Sequence, residues 1–530
     1  MHLYSINGKM PHSFRHPQRP LVASGISYDR GRSPDGRSGL GMTERSSLVW
    51  RGVFFWAMAS GLLFNMGSVA FAKANFFQED RLSAMQSIEV RRVKDGAVVY
   101  ASDPDVPLMP GSTLKVLTAG AVLEGLGAFR TLETRFLHTG IRTGDTIAGD
   151  LVIVGDGDPL FTSESMWQVA RDLYNQGIRR ITGNVIIDNQ MIPVQKREEA
   201  LQKKGTHSAY DAPLSAFIMN FNTYTVLVAP SLTLGQSAQV QLDPYPLEGV
   251  VIENGIKTAS AKSAKKIEIY RHGIGSEEKI SATGTVPLGM EATKLWRAAE
   301  DPVQTSGAYV KAFLAHEGIA VQGKILAGLH TSSAKTLLKW KSQPVSALVR
   351  SMLLFSNNVL ADVVTQRWAA EKTGTSTPES AVQSLEAYVQ TKGPFTSSVT
   401  LRDGSGLDRG NAISAHTMVQ FLLRMAQDEL VFPDYLSLFA SAGGAGSLHH
   451  RFQGKGREDF ASRIRAKTGT LAQSPCVAAL AGYFFHPKQG WLAFAILQNA
   501  KSGKTEPSLD QLHQAQEAGL YQIYKQEQGT

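Results

Sequence analysis

The 530-residue chain has one cysteine, Cys476, so no internal disulfide can form in any compartment. Stability has to come from buried apolar surface. Strong charge of one sign is missing too. The formal net charge is +8, but residues 1 to 72 hold eight Lys or Arg against three Asp or Glu, which leaves +3 on the other 458 residues. That excess argues against a nucleic-acid partner and supports at most a loose attraction to an anionic membrane or envelope. Several catalytic signatures are also absent. There is no H-E-x-x-H, no cysteine pair and no G-x-S-x-G elbow, and Gly503-Lys504-Thr505 lacks the upstream glycine of a phosphate loop. His449 and His450 are adjacent, so on one helix or strand they diverge, and they read as surface or packing residues. No metal or cofactor is expected.

What is present is Ser112-Thr113-Leu114-Lys115, then Ser356-Asn357-Asn358, then Lys467-Thr468-Gly469. Each is weak alone, since S-x-x-K recurs at Ser263, Ser276 and Ser332. The three repeats sit in Lys-rich, Glu-rich or Thr/Ser-rich polar stretches and read as solvated surface. Ser112 instead follows Pro110-Gly111 and opens the apolar run Val116 to Leu123, which predicts a core helix. Residues i and i+3 share a helix face, so the Lys115 amine falls beside the Ser112 hydroxyl. A neutral lysine there is a general base, and desolvation or a second cation would supply the neutrality. Lys467 is the obvious second cation. As an ordinary N-cap, Ser112 would leave Lys115 without a purpose.

Ser356-Asn357-Asn358 separates two helix-like runs, Val345 to Leu354 and Val359 to Val364. A hydroxyl at such a break can relay a proton, and the Asn358 amide can hold Lys115 and a substrate backbone. Ser356 taken alone reads equally well as a helix N-cap. Lys372-Thr373-Gly374 duplicates the third motif, but it ends a helical stretch, so Gly374 reads as a C-cap, and Lys501-Ser502-Gly503 starts a polar loop. Lys467 leads instead into a predicted core hairpin, Val477 to Phe485 and Trp491 to Leu497. Lys and Thr on a strand beside the nucleophile can grip a carboxylate, and Gly469 permits close backbone approach.

The three motifs together form a set found in penicillin-binding proteins and serine β-lactamases. Ser112 and Ser356 lie 244 residues apart and Ser356 and Lys467 lie 111 apart, so the first gap must contain an inserted domain. This arrangement resembles the low-molecular-mass class C penicillin-binding proteins, the D-alanyl-D-alanine carboxypeptidase/endopeptidase family, from about Ala84 to Ile523. Asp403-Gly404-Ser405-Gly406-Leu407 and Ala466-Lys467-Thr468-Gly469-Thr470-Leu471 look like further signatures. Asp408 stands where Ser is expected and Gly111 where Ala is commoner. The resemblance implies an α+β fold, a serine β-lactamase/transpeptidase-like antiparallel sheet with flanking helices. It also implies acylation of Ser112 by the penultimate D-Ala carbonyl of a peptidoglycan stem peptide, with Lys115 as base and Ser356 and Asn358 assisting proton relay. Lys467 and Thr468 would bind the terminal carboxylate. The Ser112 and Thr470 N–H groups would hold the oxyanion, a contribution of about 3 to 4 kcal/mol per donor in other hydrolases. β-Lactams should acylate Ser112 as inhibitors. A β-lactamase or esterase on the same site, and an acylation-dead wall-binding protein, are the rival readings; intact motifs oppose the second.

Export is expected. Arg45 and Arg51 precede an uncharged stretch, Gly52 to Ala72, that ends in Ala70-Phe71-Ala72, so residues 1–72 read as leader and signal peptide of a periplasmic protein. Met42 would give a signal of more ordinary length. The rival, an uncleaved anchor, is weakened by Ser60, Gly61, Asn65, Gly67 and Ser68. The expected division is catalytic domain 73–137, a mainly β insertion 138–295, and catalytic domain 296–530. A hairpin with a turn at Lys94-Asp95-Gly96 precedes the nucleophile, so the catalytic sheet should start early and resume late. Ile147 to Ile153 and Ile181 to Ile187 look like two copies of a short repeat.

Overall fold

A computed structural model of the chain describes residues 75–78, 81–195, 208–274, 277–393, 399–503 and 505–526. The expected leader and Ser276 lie outside these residues. Among them no helix is long and apolar enough to cross a membrane.

The long apolar runs near the C-terminus become the centre of a six-stranded sheet. Val477–His486 and Gly490–Ala500 pair with each other, and Ala84–Arg92 adds to the second in register from Ala84 opposite Ala500 to Arg92 opposite Leu492. Val98–Ser102 closes one edge, while Ile464–Leu471 and the short Ala440–Ser441 form the other. The sheet thus joins the two ends of the described chain.

Side chains alternate across a strand, so each central strand feeds two cores. Phe484, Phe494 and Ile496 meet Leu520, Ile523 and Tyr524 of the C-terminal helix Leu509–Lys525. On the opposite face Tyr483, Ala495 and Leu497 meet the helices Ala415–Gln427 and Lys115–Leu126. Helices on both faces explain why the central strands read as nearly continuous apolar runs. Two buried phenols there find backbone acceptors: Tyr483 Oη donates to Leu422 O at 2.7 Å and Tyr435 Oη to Val116 O at 2.8 Å.

The inserted region is larger than its expected limits. Glu133–His138 pairs with both Leu151–Val154 and Lys335–Lys341, so the sheet that begins before residue 138 is completed only at Lys341. The helix Pro302–His316 packs its Val303, Tyr309, Val310 and Phe313 into that same core. Strand pairing therefore assigns 296–341 to the inserted region rather than to the second catalytic segment. The sequence hid this because Lys-Thr-Leu-Leu-Lys-Trp-Lys is an edge strand, where lysines guard open backbone groups and dilute the apolar signal.

The short repeat has a third copy. Thr146–Ala148 and Leu151–Val154 form the first, Arg180–Ile181 and Val185–Asp188 the second, and Ala320–Val321 and Ile325–Ala327 the third, each stacked in parallel on the one before. A glycine marks the bend of every copy. A Cβ on Gly183 would sit 2.5 Å from Gly149 O, and one on Gly323 would sit 2.3 Å from Gly183 O, so the copies can stack only with hydrogen at these positions.

Candidate active site

Ser112 lies in a single turn, Gly111–Leu114, that leads into the buried helix Lys115–Leu126. One side chain and two pieces of backbone clamp that turn. Asn499 closes an amide pair on Met109, accepting from its N–H at 2.8 Å and donating to its carbonyl at 3.0 Å. Gly469 approaches so closely that a Cβ would stand 2.4 Å from Pro110 O and 3.2 Å from Ser112 N. Gly406, at φ +77°, presses on Gly111 O, which a Cβ there would meet at 2.0 Å. Expected to make room for substrate, Gly469 first makes room for the Ser112 turn. Gly111 itself has φ +51°, a left-handed conformation that suits glycine better than alanine.

Lys115 is fully buried and reaches three oxygens. Its Nζ lies 2.9 Å from Ser112 Oγ, 2.7 Å from Asn358 Oδ1 and 2.6 Å from Ser405 O. Two of these, an amide oxygen and a backbone carbonyl, can only accept. An amine that spends two N–H groups on them turns its lone pair toward the third neighbour, the Ser112 hydroxyl. The partners of Lys115 thus leave one direction of the amine for the Ser112 hydroxyl.

Asn358 opens the helix Asn358–Thr373, and the residue that caps it is Asn357, whose side chain accepts from Leu360 N at 2.9 Å. Ser356 is therefore not the cap. It stands in the left-handed region at φ +57°, between Val345–Phe355 and Asn358–Thr373, and receives Lys467 Nζ at 2.8 Å. The capping asparagine leaves its two neighbours free to face the site.

Lys467 is fully buried on the strand Ile464–Leu471 and also donates to Thr468 O at 2.6 Å. Burial first, and then the charge of Lys115, hold its amine well below the ordinary lysine range. Repulsion between two buried ammonium groups is mutual, so the pair gives up one proton far more readily than isolated lysines do. Thr468 is half-buried, and Thr470 is exposed on the stretch of strand edge beyond Ala466, where no described strand pairs. The Thr470 amide nitrogen lies beside the Ser112 turn, 3.3 Å from where a Gly111 Cβ would be.

The duplicate motifs lie elsewhere. Gly374 caps its helix in a left-handed conformation with its N–H on Ala370 O at 2.8 Å, and Lys501 and Ser502 are exposed. His449 is exposed, with Nδ1 2.9 Å from Gly444 O.

Sequence reasoning singled out Asp403 to Leu407 as a signature without giving it work, and it missed Ser405 as a neighbour of Lys115. It missed Asn499 as well. No local pattern could reveal a contact across 390 residues of chain, whereas an unexplained D-G-S-G run between two motifs was a usable signal.

The family model for D-Ala-D-Ala carboxypeptidase 3 (S13) matches residues 72–517. The chain belongs to this family. It is a serine peptidase of the low-molecular-mass class C penicillin-binding group. A D-alanyl-D-alanine carboxypeptidase of an Actinomadura species is 28% identical over 435 residues, covering 79% of this chain and 78% of its own length. The carboxypeptidase DacB of Haemophilus influenzae is 24% identical over 409 residues, covering 74% and 81%. The crystal structure of penicillin binding protein 4 from Haemophilus influenzae superposes with a TM-score of 0.69 at 21% identity, covering 83% of this chain and 97% of that one. The S13 fold, a penicillin-binding catalytic domain with a large insertion, is accordingly the fold of this chain.

Proposed function

We propose that this S13 enzyme removes the terminal D-Ala from peptidoglycan stem peptides, or cuts the equivalent cross-link, through an acyl-enzyme on Ser112. The observation that carries the reading is the setting of Lys115, with two acceptor-only oxygens and one hydroxyl around a buried amine. Lys115 takes the Ser112 proton as Oγ attacks the penultimate carbonyl, and the N–H groups of Ser112 and Thr470 hold the resulting oxyanion. Ser356, with Asn358 beside Lys115, passes the proton to the departing amine. The terminal carboxylate binds Lys467, Thr468 and the unpaired strand edge. An arriving carboxylate favours the charged form of Lys467, and by repulsion this favours the neutral form of Lys115. Water then hydrolyses the ester.

β-Lactams are expected to acylate Ser112 as inhibitors, and a structural relative from Haemophilus influenzae, with a TM-score of 0.66, has been solved in complex with a β-lactam. The proposed location is the periplasm, reached by the signal expected within residues 1–72. The test is fluorescent penicillin on wild type and on Ser112→Ala. A long-lived label lost in the variant supports the peptidase; rapid antibiotic turnover indicates a β-lactamase; a variant that still labels excludes Ser112.

A further inference from the structure

The two acceptor-only neighbours of Lys115 come from different parts of the chain, yet one helix governs both. Asn358 is the first residue of Asn358–Thr373, and Asp362, one turn later on the same face, is 6% exposed and accepts from Gly404 N through Oδ1 at 3.0 Å. The other side of this backbone segment is tied to the nucleophile helix, where Thr118 Oγ1 donates to Gly404 O at 2.7 Å. Gly404 is squeezed between them. A Cβ there would stand 2.2 Å from Thr365 Oγ1, three residues beyond Asp362. The next carbonyl is Ser405 O, 2.6 Å from Lys115 Nζ. Beyond it the Asp403 carboxylate accepts from Gly406 N, Leu407 N, Asp408 N, Ser405 Oγ and Asn411 Nδ2, which holds the rest of the loop.

We propose that Asp362 is a positioning residue for the general base. Through the Gly404–Ser405 segment it fixes the carbonyl that takes one N–H of Lys115 and so aims the amine lone pair at Ser112. In this role it acts through the Gly404 amide. The loop carrying Ser405 has glycines on both sides of that residue, so without the two clamps on Gly404 the carbonyl can rotate away. Lys115 would then have a free choice of partners and would spend an N–H on Ser112 Oγ, the wrong direction for proton abstraction.

This inference rests on Lys115 being the base. The test separates the non-covalent dissociation constant of a penicillin from its acylation rate constant, with thermal unfolding measured alongside. For Asp362→Ala the acylation rate should fall by about tenfold to a hundredfold, the range for a misaimed catalytic group, with the dissociation constant unchanged. Asp362→Asn keeps an oxygen for Gly404 N and should restore most of the rate. An unchanged acylation rate in folded Asp362→Ala overturns the proposal, and so does an Asn variant as slow as the Ala variant, because charge rather than the hydrogen bond would then matter. If Asp362→Ala does not fold, the near-isosteric Thr118→Val decides by the same measurement: a slower acylation step at constant binding supports the clamp, and an unchanged one overturns it. Lys115→Ala separates the two levels. If it acylates at the wild-type rate, the base assignment fails; if it is inactive while Asp362→Ala is normal, only the positioning role fails.

Discussion

Ser356 holds a left-handed backbone conformation, a cost of about 1 to 2 kcal/mol for a residue with a Cβ. That cost places its hydroxyl on Lys467 while Asn357 caps the following helix. Ser356→Gly and Ser356→Ala both remove the hydroxyl, but only Gly relieves the backbone. Both should lose most peptidase activity, and Ser356→Gly should be more stable than Ser356→Ala by about 1 kcal/mol in urea unfolding. Equal stabilities would show that the conformation costs nothing. The buried lysine pair sets the pH dependence. With the Lys467 amine held well below 10.5 by burial and by Lys115, raising the pH removes one proton from the pair before the ordinary lysine range is reached. Acylation needs one neutral amine, so the second-order acylation rate should climb with pH along a limb lying below 10.5 and then level off. A limb at the ordinary lysine value would mean that the two amines do not interact.

Among elements, the three stacked copies of the inserted repeat depend on glycine for a reason unrelated to catalysis. Gly183→Ala puts a methyl group within 2.5 Å of backbone in the neighbouring copy, and overpacking of this kind costs about 1 to 3 kcal/mol. Thermal unfolding should show that loss, while penicillin acylation of the remaining folded protein keeps its wild-type rate. Slower acylation would mean that the stack transmits strain to the site. The third copy, Ala320 to Ala327, escapes sequence inspection because Val-Gln-Gly-Lys-Ile-Leu-Ala shares only its glycine with the other two and carries Lys324 where they have Asp150 and Asn184. It is the last copy of the stack and its outer edge pairs with no other described strand, so its polar residues Gln322 and Lys324 are exposed.

At the scale of the molecule, the helix that presents Asn358 to Lys115 also binds the inserted region. Two turns along it, Arg367 is almost wholly buried and donates to Asp156 Oδ1 at 2.8 Å and to Glu371 Oε2 at 2.7 Å. Gln366 exchanges a reciprocal pair of amide hydrogen bonds with Gln195, at 2.7 and 2.9 Å. Arg367→Ala should cost about 3 kcal/mol, the low end for breaking a buried pair because Asp156 keeps some contact with water. The check is chemical unfolding, and a change below about 0.5 kcal/mol would place this contact among surface pairs of little weight.

Local chemistry was legible in the sequence. The i, i+3 spacing of Ser112 and Lys115 is a property of one helical turn, the apolar runs from Val477 and Trp491 specify a buried hairpin, and Gly374 marks a helix end by its immediate context. The limits of the insertion were not legible at Lys341, because an edge strand shows its lysines to water and loses the apolar pattern that marks a core strand. Nor could spacing show that Asn357 rather than Ser356 caps its helix, that Asn499 holds Met109, or that a carbonyl at Ser405 reaches Lys115. Those contacts cross 390 and 290 residues of chain or depend on one backbone angle. A buried donor accepts whatever oxygen the packed chain brings within 3 Å of it, so only the tertiary structure decides which partner a side chain will have.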